Sequence, residues 1–181
     1  MLNKISTLDA VFMVLMAVCG LALKPIIGPL SKIIGSVLLL SSGSFAGMIY
    51  YIFPLLALLV VRQFGSATFT GLIQGIIVLV TGLYGSHGIL SLVTYTLPCF
   101  AIDLGYLLIR KSNKRWLVFF PGALGNLCGN FLVAVLLMHL PTIPLILTLL
   151  ISFIFGGFSG FLSLSLHSWL IKKYPILEKS G

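Results

Sequence analysis

Asn126 and Asn130 stand four residues apart in one apolar run, so on a helix they share a face. Gln74 lies midway along another apolar run, and Tyr50, Tyr84, His87 and Tyr95 sit toward the ends of others. These are uncharged hydrogen-bonding groups and rings, suited to recognition rather than bond cleavage. An unpaired amide in hydrocarbon is costly, which turns Gln74, Asn126 and Asn130 toward a protein interior. Two readings fit them. They bond to one another or to backbone and hold helices together, or they wall a half-buried pocket for a small planar heterocycle.

No motif of covalent chemistry is present. The chain has no GxGxxG, Walker A, HExxH or GxSxG pattern. The run Gly156-Gly157-Phe158-Ser159-Gly160 lacks the lysine of a phosphate cradle. His167 stands four and eight residues after Ser163 and Ser159 on the same run, a poor general-base geometry. The chain is therefore expected not to be an enzyme, and any ATP hydrolysis belongs to another subunit. Cys19, Cys99 and Cys128 lie within apolar runs without ligand spacing and read as packing residues, with no metal site and no cofactor expected. Asp103 is the one acid inside a later apolar run. It reads as structural or as part of a contact with a partner subunit.

The elements that must position these groups are set by composition. Of the 181 residues 59% are hydrophobic and 8% charged, and the mean hydropathy is +1.19. A soluble domain carries roughly a quarter charged residues, so this is an all-α, polytopic membrane protein, a single membrane-embedded domain over residues 1–181. Six apolar segments can be drawn: about 8–23, 45–61, 67–83, 89–109, 116–139 and 143–171. The first is a span rather than a cleavable signal, because its basic region is a single lysine and its apolar run is long. Net charge is +8, yet the basic residues sit between apolar runs, where they set topology and meet headgroups rather than nucleic acid. With both termini cytoplasmic, the inner face holds Lys4, Arg62, Arg110, Lys111, Lys114, Arg115, Lys172, Lys173 and Lys179, leaving Lys24 and Lys32 outside. Residues 24–44, with Pro25, Gly28, Pro29, Gly35 and Gly43, form a long outer connector between the first two spans. It reads as a re-entrant or interfacial segment, or as a lid. The pairs Gly71/Gly75, Gly125/Gly129 and Gly156/Gly160 allow close helix approach, within the chain or against a partner.

Four segments carry a resemblance: Ser44-Phe-Ala-Gly-Met-Ile-Tyr50, Leu59-Val-Val-Arg62-Gln-Phe-Gly65-Ser-Ala67, Thr81-Gly82-Leu-Tyr-Gly85 and Asp103-Leu-Gly-Tyr-Leu-Leu-Ile-Arg110. Their order and spacing, with the topology, resemble the S component of an energy-coupling factor (ECF) vitamin transporter, and most of all the YkoE-type family. The resemblance implies a cell-membrane binding subunit that works with a membrane scaffold (EcfT) and two ATPase subunits. It implies a vitamin or precursor as ligand, of the thiamine or hydroxymethylpyrimidine class first. The lack of an acid in the outer half of any span, with Gly71 and Val78 where one could lie, turns this toward a neutral ligand: hydroxymethylpyrimidine, pyridoxine or cobalamin. It places the ligand among Tyr50, Gln74, Tyr84, His87, Tyr95, Asn126 and Asn130, and docking on Ala10, Ala17, Gly20 and Asp103. The alternative is a structural or assembly membrane protein, or a small stand-alone carrier.

Overall fold

A computed structural model describes residues 5–38, 42–82, 87–110 and 115–175. These form α1 (Thr7–Ala22), α2 (Lys24–Leu38), α3 (Ser42–Tyr50), α4 (Ile52–Val61), α5 (Ser66–Thr81), α6 (Leu90–Ile109), a 3-10 turn (Arg115–Val118), α7 (Phe119–Leu136) and α8 (Thr142–Lys173). Among the described residues there is no strand, only an isolated bridge between His87 and Ile89. The all-α expectation holds.

The helix starts and stops follow local chemistry. Ser6 caps α1 reciprocally with Asp9: the Asp9 amide donates to Ser6 Oγ at 3.2 Å and the Ser6 amide to Asp9 Oδ2 at 2.9 Å. α3 runs into α4 through Tyr51, whose amide donates to the Gly47 carbonyl at 3.1 Å. α4 ends at Arg62 in the left-handed region, φ 56°, and Gly65 at φ 94° opens α5.

Four helical segments are long and apolar enough to cross a bilayer: Gly43–Val61, Leu90–Ile109, Trp116–Leu136 and Thr142–Lys173. Thr7–Ala22 and Lys24–Ser36, bent by 47°, count as a fifth if the pair is one broken span. α5 has 16 residues, a rise of about 24 Å against a hydrocarbon core of ~30 Å. The described helices thus supply four or five crossings where six were expected. Within the expected connector, residues 24–38 are helical. Pro25 falls in the first turn, where its missing N–H has no helical partner to lose, and Pro29 sits inside the helix.

α4 is the centre, with Ile52 and Pro54 through Val61 buried. It packs on α1, α5 and α8, while α5, α6, α7 and α8 pack in succession around it. Met13 of α1 meets Ala57 and Val61, and Leu55 and Leu58 meet Ala67, Cys99 and Ile102 of α5 and α6. Large apolar side chains such as Ile146, Leu150, Ile154 and Phe158 stay exposed along α8, as lipid-facing positions do.

The glycine pairs make close contacts within the chain. A Cβ on Gly71 would lie 2.6 Å from the Tyr95 carbonyl, and one on Gly160 2.1 Å from that of Val118. At the α7–α8 crossing a Cβ on Gly122 would lie 2.2 Å from the Gly156 carbonyl oxygen. Because the obstacle is backbone, Gly122→Ala forces the two helices apart. We expect it to cost about 1–3 kcal/mol, read as an earlier thermal unfolding transition of the detergent-solubilised chain.

Candidate functional site

Where α1 to α7 converge they border a half-open cavity of about 530 Å³, within the range of small-molecule sites. Each element contributes for a local reason. Gln74 faces inward from the buried side of α5, and its Nε2 donates to the Ala17 carbonyl of α1 at 3.3 Å. The Tyr50 and Tyr51 rings come from the α3–α4 junction, and Thr94, Tyr95 and Cys99 from one side of α6. Asn126, Gly129, Asn130 and Val133 recur along one side of α7.

Three glycines make room for three polar groups. A Cβ on Gly20 would lie 2.5 Å from Gln74 Nε2, one on Gly47 1.9 Å from Asn126 Oδ1, and one on Gly129 2.1 Å from the Tyr51 hydroxyl. The small residues are therefore required by the polar side chains opposite them.

Asn126 is fully buried. Its Nδ2 donates to the Ser44 carbonyl of α3 at 3.0 Å and to the Ser152 carbonyl of α8 at 2.8 Å, and its Oδ1 accepts from Asn130 Nδ2 at 2.8 Å. The Ser44 and Ser152 hydroxyls lie 3.0 Å apart beside it. This is the helix-tying role, joining α3, α7 and α8, and Asn126 is committed to it.

At the opposite wall, Lys24 opens α2. Its ammonium lies 3.9 Å from the centroid of the Tyr95 ring and 5.4 Å from that of Tyr50, and it donates to the Tyr95 hydroxyl. The His87 amide donates to Ser91 Oγ at 2.9 Å, which ties the turn before α6 to that helix. Burial first, and the Lys24 ammonium second, hold the pKa of the His87 imidazole below its ordinary value.

Tyr50, Gln74, His87, Tyr95, Asn126 and Asn130, expected together, all line this one cavity. Tyr84 lies outside the described residues. Lys24 and Lys32, read from the sequence only as topology signals, line it too. A lysine at the end of an apolar run, followed by Pro25, was the available signal for a charged group at a helix start.

The expected docking residues lie on α1 and α6. Ala17 is fully buried, and Gly20 lines the cavity. Ala10 is half-buried on α1. Asp103 is fully buried and faces α5. Its carboxylate accepts from the Thr68 amide at 2.8 Å, the Thr68 hydroxyl at 2.5 Å and the Ala67 amide at 3.3 Å. These amides are among those a helix start leaves without partners. Gly65, at the cap position, has no side chain to meet them, and Asp103 does so from α6.

The sequence model of the family described as the ABC-type cobalt transport system, permease component, matches residues 7–129, more than half of the chain. The chain belongs to that family. The match runs from the start of α1 into α7 and takes in most of the cavity lining. It overturns the resemblance to a YkoE-type S component: a cobalt transport permease family is not a vitamin-binding subunit of an ECF transporter. The thiamine, hydroxymethylpyrimidine, pyridoxine and cobalamin expectations fall with it. Membership fits the alternative of a structural membrane subunit, here of an ABC-type permease. No curated protein and no solved structure matches the chain. Among the described residues no group of three or more His, Cys, Asp or Glu side chains is gathered as a metal site.

Proposed function

We propose that this chain is the membrane-embedded permease subunit of an ABC-type importer in the cell membrane, carrying cobalt as its cargo, with ATP hydrolysis on separate partner subunits. The family match over residues 7–129 carries the reading. The chain has no Walker A sequence, and an ABC-type permease family implies ATPase partners. The cavity bounded by α2, α3, α5, α6 and α7 is the cargo chamber, with Tyr50, Gln74, His87, Tyr95 and Asn130 as its polar walls.

Six crossings with both termini cytoplasmic belong to the same proposal. Arg62 ends α4, Arg110 ends α6, and Lys172 and Lys173 end α8, while Lys24 opens α2 and Lys32 lies within it. This distribution obeys the positive-inside rule if α1 and the short α5 both cross.

The reading predicts that tagged chain co-purifies with ATPase subunits. Proteoliposomes holding that assembly should accumulate radioactive cobalt only when ATP is supplied. Flux of equal rate from the purified chain alone without ATP would replace this reading with that of a stand-alone carrier.

A further inference from the structure

The lining of the cavity includes basic side chains, Lys24 and Lys32, and, among the described residues, no acidic one. The aspartates of the described residues are committed elsewhere: Asp9 in the α1 capping box, Asp103 on the first turn of α5. Lys24 rests between the Tyr50 and Tyr95 rings. Ring faces and a phenol oxygen only partly replace the water an ammonium gives up, and a full negative charge replaces it better. A bare divalent cation faces the reverse situation. It would meet two lysines and find none of the carboxylate ligands that offset such a charge.

We propose that this cavity binds a small organic anion, a carboxylate-bearing molecule or an anionic chelate of a metal, with Lys24 as its charge partner. The inference rests on the permease reading in one respect: cobalt that passes through this chamber does so inside a negatively charged complex. A volume of about 530 Å³ accommodates such a chelate. The tyrosine rings supply apolar walls for its carbon frame, and Gln74, whose Nε2 is already bonded to α1, fixes one polar edge.

The test is calorimetric titration of the full chain in detergent with citrate, the cobalt(II)–EDTA dianion, cobalt chloride alone and phosphatidylglycerol in mixed micelles. Native chain, Lys24→Gln, Lys24→Arg and Lys172→Gln are compared. The expected result is binding of citrate or the chelate, weakened at least tenfold in Lys24→Gln, largely restored in Lys24→Arg and unchanged in Lys172→Gln. Cobalt chloride should give no binding heat. If Lys24→Gln does not elute as a folded species, Lys32→Gln supplies the charge deletion, with a smaller loss expected. The proposal is overturned if neither anion binds, if both bind equally well after loss of the lysine charge, or if cobalt chloride alone binds. Displacement of the chelate by phosphatidylglycerol at equal concentration assigns the site to a lipid headgroup and overturns it too. Co-purification with ATPase subunits is scored on the same preparations. A chain that assembles with them yet binds no anion defeats this inference and leaves the permease reading standing.

Discussion

Asn126→Leu will lower the thermal stability of the chain more than any other single exchange in the cavity wall. One interhelical hydrogen bond in a membrane protein averages ~0.6 kcal/mol, but Asn126 makes bonds to Ser44, Ser152 and Asn130 that join three helices. Leucine removes all of them, and each hydrogen bond lost from a buried site costs about 0.5–1.5 kcal/mol, while Asn130 Nδ2 keeps its bond to the Asn126 carbonyl at 3.0 Å. The pocket is also shaped for the amide: the Gly47 backbone approaches so closely that even a Cβ there would meet Asn126 Oδ1. The two methyls of leucine press on that backbone. We expect a loss of about 2–4 kcal/mol in all, a fall of roughly 5–10 °C in the melting midpoint. Asn130→Leu, which spares the bonds of Asn126 to Ser44 and Ser152, should cost less. Equal effects of the two exchanges would show that Asn126 is not the hub.

The hydropathy of the chain makes its helices legible, and the expected segments lie within a few residues of the observed α1, α3–α4, α5, α6, α7 and α8. The number of crossings is not, because it depends on length against bilayer thickness, and α5 falls short of that thickness. α2 was hidden by its prolines and glycines. Those residues argue against an interior helix, but Pro25 lies in the first turn and Gly28 and Pro29 face the cavity, where an approaching backbone is needed.

The polar cavity wall was legible for a different reason. A buried amide must find a partner, so Gln74, Asn126 and Asn130 could only point inward, and they do. Family membership was misread because the matching segments are mostly helix boundaries. Arg62, Gly65 and Gly82 all have positive φ at the ends of α4 and α5, so their spacing reflects turn geometry that many helical proteins share. Lys24 was passed over because a basic residue between apolar runs already has an explanation in topology. Only the fold shows that it turns back onto Tyr50 and Tyr95.

Asp103→Ala will loosen the start of α5. The first amides of a helix have no partner within it. Here the cap residue is Gly65, whose lack of a side chain leaves them to a neighbour. Asp103, reaching across from α6, accepts from Ala67 and Thr68 and also holds the Thr68 hydroxyl. Loss of a side-chain cap costs about 0.5–2 kcal/mol. Loss of a carboxylate at the positive end of the helix dipole adds about 0.3–1 kcal/mol, more when partly buried. We therefore expect Asp103→Ala to cost about 2–3 kcal/mol. Asp103→Asn, which keeps one oxygen acceptor, should recover about half of that, since its amide nitrogen meets the helix amides as a donor facing donors. Hydrogen exchange separates this from general loosening: protection at Ala67 and Thr68 should fall first, while the α7–α8 crossing at Gly122 and Gly156 stays protected. If Asp103 instead served a partner surface, the isolated chain would melt and exchange as the native protein does, and only assembly with other subunits would change. The burial of its carboxylate against α5 makes the first outcome the expected one.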